Sequence, residues 1–229
     1  MPLSKRLSAI AQLVIPGAGV ADIGTDHAYL PIYLVEHGVA THAIAGEVNQ
    51  GPYLAAQETI QRASLQSSIS LRLGNGLAVL QPGEVETIVI AGMGATTMTD
   101  ILNACPAVVQ AAKRLVVQPM IGAALMRQWL AKHRWAICAE ELIIEDDILY
   151  EIIAAEPGEM PAMNPLLYEI GPVLWRQKHP LLEYHITQII KQYTRIAENL
   201  KLSKTTEAAE RCRQLVKKIE ELEEWRTCL

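Results

Sequence analysis

The sequence predicts a two-part chain: an α/β domain on a mostly parallel sheet closed by an antiparallel hairpin, then a helical segment. Through the first half, short continuous apolar runs alternate with stretches of helical periodicity, the mark of a parallel sheet covered on both faces. Two further runs, 135–144 and 148–155, are separated only by Glu145-Asp146-Asp147. Parallel strands need a far longer crossover, so these two pair antiparallel. Beyond residue 160 the alternation stops and heptad spacing replaces it.

Each element has its own signal. Leu3, Leu7, Ile10, Ala11 and Val14 recur at helical spacing after Ser4, so an amphipathic helix opens the chain and ends at Pro16-Gly17. Strands follow at 19–23, 42–46, 68–72, 87–91 and 114–118. A helix over 31–36 places Pro31 at the first helical position, where its missing N–H is no loss, and another covers about 52–62. Pro157, Pro161, Pro165 and Pro172 mark a linker. Leu182, Ile186, Ile189, Tyr193, Ile196 and Leu200 then form one narrow seam. After Ser203-Lys-Thr-Thr206, Cys212, Leu215, Ile219 and Leu222 form a second. Two such helices joined by a short polar turn fold back as an antiparallel coiled coil. The predicted domains are 1–160 for the sheet and 161–229 for the linker and coiled coil.

Composition narrows the class. Half of the 229 residues are apolar, enough for a packed core and against disorder. No apolar run approaches the roughly 20 residues of a membrane span, and the N-terminus does not read as a secretory signal. Cys105, Cys138, Cys212 and Cys228 are scattered without a C-x-x-C pair, against both a disulfide framework and a zinc site. A cytoplasmic protein without a metal is the expectation. Residues 1–160 carry a net charge of −7 and residues 161–229 a net charge of +2. A basic tail on an acidic body fits a nucleic-acid binder, and equally a set of solvated helices.

In an open α/β sheet, ligands bind beyond the carboxyl ends of the strands, where strand order reverses. Asp22-x-Gly24-x-Asp26-x-Ala28 follows the first strand and is not G-x-G-x-x-G. One glycine keeps the tight turn, while an aspartate and an alanine stand where further small residues would admit a pyrophosphate. S-adenosylmethionine has no phosphate. Its ammonium can pair with Asp22 or Asp26, and its carboxylate can be cradled by backbone N–H groups. For Asp22 the alternative is a buried turn cap. Glu47 ends the second strand 23 residues after Gly24, where an acid commonly accepts both hydroxyls of a ribose. Asn75-Gly76 is placed to meet an adenine edge, and Ala91-Gly92-Met93 offers close backbone approach along the path of a methyl group. Thr25, His27 and Val48 complete the candidate cofactor pocket. Five parallel strands, an antiparallel hairpin and this pocket describe a class I S-adenosylmethionine-dependent methyltransferase, a Rossmann-like seven-stranded sheet.

Ala21-Asp-Ile-Gly-Thr-Asp-His-Ala-Tyr-Leu-Pro31, Gly74-Asn-Gly76, Ile90-Ala-Gly-Met-Gly94, Gln118-Pro119, Glu145-Asp146, Tyr150-Glu-Ile152 and Tyr168-Glu-Ile-Gly-Pro172 together resemble the TrmK family, bacterial methyltransferases that act on N1 of adenine 22 in tRNA. The likeness spans essentially the whole chain. It implies tRNA as the partner, S-adenosylmethionine as the cofactor, and a C-terminal coiled coil. The family's Gly-Asp-Gly is Gly74-Asn75-Gly76 here, its Gln-Pro-Asn is Gln118-Pro119-Met120, and Ala95 replaces a glycine. No role is transferred to Met120.

N1 lies on the pairing edge, so the base must be unpaired or extruded. Asp26 is the candidate for steadying the positive charge of the methylated base, with His27 beside it; a structural histidine is the alternative for His27. Lys5 and Arg6 near the pocket, and Arg176, Lys178, Lys191, Arg195, Lys201, Lys204, Arg211 and Arg213 along the tail, are candidates for gripping phosphates. Monomer and weak homodimer both stay open. So do a methyltransferase for another RNA or a small molecule, and a non-catalytic interaction module. A dinucleotide oxidoreductase is disfavoured by the missing glycine motif.

Overall fold

The computed structural model describes residues 3–203 and 205–229, so Lys204, a predicted phosphate contact, lies outside the described residues. The chain divides into two compact units, Met1–Pro161 and Ala162–Leu229.

The first unit opens with α1 (Lys5–Gln12), whose first turn is capped by the Ser4 hydroxyl accepting from the Leu7 amide at 3.2 Å. Then come β1 (Ala18–Ile23), α2 (Tyr29–Glu36), β2 (Ala40–Glu47), α3 (Gln50–Arg62) and β3 (Ile69–Leu73). After a 3₁₀ turn at Gly76–Val79 follow β4 (Thr87–Gly94), α4 (Ala95–Ala104), α5 (Pro106–Ala111), β5 (Arg114–Ile121), α6 (Ala123–Lys132), β6 (Trp135–Glu145) and β7 (Ile148–Pro157). The seven strands run in the order β3-β2-β1-β4-β5-β7-β6. All pairings from β3 to β5 are parallel, and β7 pairs antiparallel with both β5 and β6. Strand order reverses between β1 and β4, which sets the carboxyl ends of those two strands as the place for a ligand.

Alternation along the strands feeds two cores. Ala21, Ile23, Ile88, Ile90, Leu115 and Val117 face α4–α6. Val20, Ala43, Ala45, Val89 and Val116 face α1–α3. Asp22 and Gln118 therefore project on the α1 side, one step beyond Val20 and Val116. Two local expectations shift. Helix α2 begins at Tyr29, so Pro31 is its third residue rather than its first. The first four amides of a helix have no intrahelical acceptor, and the proline is tolerated there too. Strand β4 runs on to Gly94 because pairing with β5 resumes after register breaks at Met93.

The antiparallel hairpin is tied to α6 through a fully buried arginine. Arg127 donates from Nε to Glu140 on β6 at 2.6 Å and from Nη2 to Glu151 on β7 at 2.7 Å. Burial pushes the guanidinium pKa down, but the two carboxylates outweigh it and hold the charge firmly.

In the second unit the predicted linker is partly helical. Helices α7 (Leu166–Ile170) and α8 (Pro172–Gln177) occupy the proline-rich stretch, with Leu166, Ile170, Val173 and Leu174 buried. Pro172 sits at the start of α8, and Gly171 at φ 101° makes the break before it. Helices α9 (Leu182–Lys201) and α10 (Thr206–Arg226) form the antiparallel hairpin. Cross-contacts from Cys212 Sγ to Ala197 O and from Arg226 to Thr187 run in opposite directions along the two arms. The buried face of α9 is broader than the predicted seam, including His185, Ile190 and Ala197, because α7 also packs against it. Glu169 on α7 joins both arms, accepting from Tyr193 Oη at 2.5 Å and from Lys218 Nζ.

Removing a partner from a buried ion pair strands the remaining charges. Arg127→Ala should lower the unfolding free energy by about 3–5 kcal/mol in chemical denaturation. A loss below about 1 kcal/mol would show that the hairpin does not depend on this cluster.

Candidate active site

The loop after β1 is held in an unusual backbone path. Gly24, Asp26 and Ala28 all have positive φ, at 78°, 51° and 58°. Two non-glycine residues in the left-handed region cost local strain, which persists only where surrounding contacts enforce it. Those contacts are present. The amides of Gly24 and Thr25 donate to Gly46 O at 2.9 and 3.2 Å, and the Ala28 amide donates to Thr25 O at 2.9 Å. Gly24 also leaves room for the Met93 methyl, which a Cβ there would meet at 2.3 Å and push aside.

These bonds limit what the loop can offer a ligand. The amides of Gly24, Thr25 and Ala28 are engaged inside the loop, so the expected cradle for a ligand carboxylate narrows to Asp26, whose amide makes only a long 3.4 Å contact to Glu47, and His27. Asp22 caps no backbone amide. Its side-chain hydrogen bond is from Thr25 Oγ1 at 2.8 Å, which does not support the turn-cap reading.

Asp22 is nearly fully buried, and burial pushes its carboxyl up to about 6 despite the Thr25 hydrogen bond and the positive charge of Arg6; nearby Glu47 raises it further. Glu47, also buried, closes the other side. Its Oε1 accepts from the Val48 and Asn49 amides at 2.9 and 3.0 Å, leaving Oε2 with the long Asp26 contact. Two buried carboxylates at adjacent strand ends favour a ligand that brings hydroxyls and positive charge.

Arg6 reaches this cluster from α1. Its Nη1 donates to Gln118 Oε1 at 2.7 Å, and its guanidinium lies 5.5 Å from the Tyr150 ring centroid. Gln118 is fully buried, accepts also from the Gly92 amide at 3.2 Å and points Nε2 at Met120 Sδ, 3.6 Å away. Sequence reasoning assigned Gln118 no role, although Gln-Pro at the end of an apolar strand was the available signal. It also took Arg6 for a free phosphate grip, whereas the guanidinium is held in place. Lys5 is exposed, with its amide on Glu145 at 2.5 Å.

At the end of β3, the Gly74 amide donates to Glu47 O at 2.8 Å. Asn75 is exposed, and with Gly76, Thr97, Asp100 and Ile101 it lines a cavity of about 350 Å³. Ala91, Gly92 and Met93 lie near the end of β4, and the Met93 methyl lies against Gly24. Asp26 and His27 stand at the open side, their side chains 71% and 44% exposed and 3.8 Å apart. Asp22, Asp26 and Glu47 thus lie together at the ends of β1 and β2, with Gly74 bonded to Glu47 from the end of β3. In the second unit Arg176, Lys178, Lys191, Arg195, Lys201, Arg211 and Arg213 are all exposed, and Arg213 pairs with Glu210. No group of three or more His, Cys, Asp or Glu side chains among the described residues is arranged to hold a metal ion. No helix among them is long and apolar enough to cross a membrane.

The Asp22 carboxyl ionises near 6 when folded and near 3.8 when unfolded, so the folded protein binds more protons between those values. Stability of the ligand-free protein therefore falls as pH rises from about 4 to 6 and then levels, a cost of about 3 kcal/mol at neutral pH. Asp22→Asn should stabilise the ligand-free protein at pH 7 and remove that part of the pH dependence in denaturant titrations. A destabilised variant with an unchanged pH profile would contradict the assignment.

A family model described as tRNA (adenine(22)-N(1))-methyltransferase, TrmK, matches residues 20–224. The tRNA (adenine(22)-N(1))-methyltransferase of Bacillus subtilis strain 168 is 37% identical over 230 residues, covering 98% of this chain and 97% of the relative. The crystal structure of the B. subtilis TrmK enzyme superposes with a TM-score of 0.90 at 36% identity, covering 98% of this chain and 99% of that one. A Streptococcus pneumoniae relative solved in complex with S-adenosyl-L-methionine gives a TM-score of 0.84 at 35% identity, covering 98% and 100% of the two chains. The chain belongs to the TrmK family of tRNA (adenine(22)-N(1))-methyltransferases.

Proposed function

We propose that this chain transfers the methyl group of S-adenosylmethionine to N1 of adenine 22 in tRNA, using the pocket at the ends of β1, β2, β3 and β4. The observation that carries the site assignment is the pair of buried carboxylates, Asp22 and Glu47, on the neighbouring strands β1 and β2, with Asp22 beside the point where strand order reverses. The residues fit the donor. Asp22 pairs with its ammonium, and its carboxylate meets the Asp26 and His27 amides, with Arg6, fixed beside Asp22 by Gln118, adding positive charge. Glu47 Oε2 accepts the ribose hydroxyls, and Val48, Asn75 and Gly76 meet the adenine.

S-adenosylmethionine supplies a methyl on a positively charged sulfur, already activated for transfer. Adenine N1 is a neutral nucleophile with a free lone pair, so the protein needs mainly to align the two and exclude water. Ala91, Gly92 and Met93 leave a narrow backbone-lined approach for that alignment. Asp26, held outward by its left-handed backbone, faces the acceptor and offsets the positive charge the base gains. His27 orients Asp26 from the adjacent position. The exposed cations of α8–α10, together with Lys5, hold phosphates of the tRNA. The chain acts in the cytoplasm, as a monomer or weak homodimer.

The test is incubation with methyl-labelled S-adenosylmethionine and unmodified tRNA, followed by digestion to nucleosides. Label in 1-methyladenosine mapped to position 22 is the expected result. Label in another nucleoside, or none, would overturn the reading. Asp26→Asn keeps a residue that tolerates positive φ but loses the charge, and should lower the single-turnover rate about 100-fold with cofactor affinity retained. A rate within a few-fold of the parent would remove Asp26 from the chemistry.

A further inference from the structure

The active-site loop ends in two aromatic rings that methyl transfer does not require. His27 and Tyr29 stack with ring centroids 5.2 Å apart and planes 17° from parallel. Tyr29 is also 36% exposed at the first position of α2. Behind it α1, α2 and α3 enclose an open groove of about 600 Å³, walled mainly by Leu3, Leu7, Tyr29, Ile32, Tyr33 and Ala63. Tyr29, which lines the groove, directly follows the loop that carries Asp26. Arg62 and Glu36 also line the groove, Arg62 paired with Glu58 at 2.5 Å.

An adenine that presents N1 to the pocket has left its stack, and each neighbouring base has lost a stacking partner. An aromatic pair beside Asp26, backed by an apolar groove, matches a flat ring on a phosphate backbone. We propose that the His27–Tyr29 pair is a stacking platform for the unpaired base next to adenine 22, and that the groove behind Tyr29 receives that base. This rests on the tRNA reading above and adds Tyr29 as a substrate-contacting residue.

The experiment uses the full chain and tRNA carrying 5-iodouridine at either neighbour of adenine 22, irradiated in the complex. At one of the two positions the crosslink should map to the peptide containing Tyr29. Tyr29→Phe should keep it. Tyr29→Ala should lose it, together with roughly ten-fold or more in kcat/KM for tRNA, while S-adenosylmethionine affinity stays within about two-fold. Ala63→Trp, which fills the groove away from the loop, should lower kcat/KM for tRNA with the same retention of cofactor affinity, and decides the matter if Tyr29→Ala does not fold. Methylation of adenine 22 without a crosslink to this peptide at either position, or with parental kcat/KM in both Tyr29→Ala and Ala63→Trp, would overturn the platform and leave the enzyme activity standing. A Tyr29 crosslink without methylation would do the reverse.

Discussion

The upper edge of this sheet is organised around a carboxylate taken out of water. Asp22 lies one residue before the end of β1, which pairs with β2 on one side and with β4 on the other, at the reversal of strand order. An ionised group there is costly, and its carboxyl is pushed up to about 6. Much nearby geometry limits that penalty. Thr25 donates its hydroxyl, which needs the tight turn at Gly24; the turn needs Gly46 O as its acceptor; and Arg6 brings a positive charge that Gln118 holds in place. A cationic ligand completes the arrangement, which makes the free site poised for binding at a cost in stability.

The hairpin at the far edge has a different task. Strand β7 runs against β5, and the Arg127 cluster fastens β7, β6 and α6 together. This fixes β5, and therefore Gln118, from the side opposite β4. Tyr150, beneath the Arg6 guanidinium, belongs to the same strand as Glu151. A buried ion cluster of this kind adds little net stability over apolar packing, but it enforces one arrangement of the three elements. In the second unit Glu169 does similar work, tying a short helix to both arms of the hairpin.

Much of this was legible in the chain because strands in a parallel sheet are apolar runs, and their ends are where polar residues begin. Asp22, Glu47, Asn75 and Gly92 all stood out on that rule, and the three-residue gap at Glu145-Asp146-Asp147 set the antiparallel hairpin. Gln118 and Arg6 were not legible, because their roles arise from a contact across 112 residues of sequence. The capacity of the loop amides to cradle a ligand was overestimated, since no sequence pattern shows that Gly46 O already engages two of them. Helices α7 and α8 were hidden by prolines that sit at their starts, where proline is compatible with a helix. The broader buried face of α9 followed from α7, which was not foreseen.

The central claim is that Asp22 is a desolvated carboxylate waiting for a positive charge. Carboxyl-carbon NMR of the aspartate-labelled chain, titrated with and without S-adenosylmethionine, measures this directly. The free protein should show the Asp22 midpoint near about 6, and the complex should show it falling below the ordinary 3.8. A midpoint already near 3.8 in the free protein, or one that the cofactor leaves unmoved, would contradict the account.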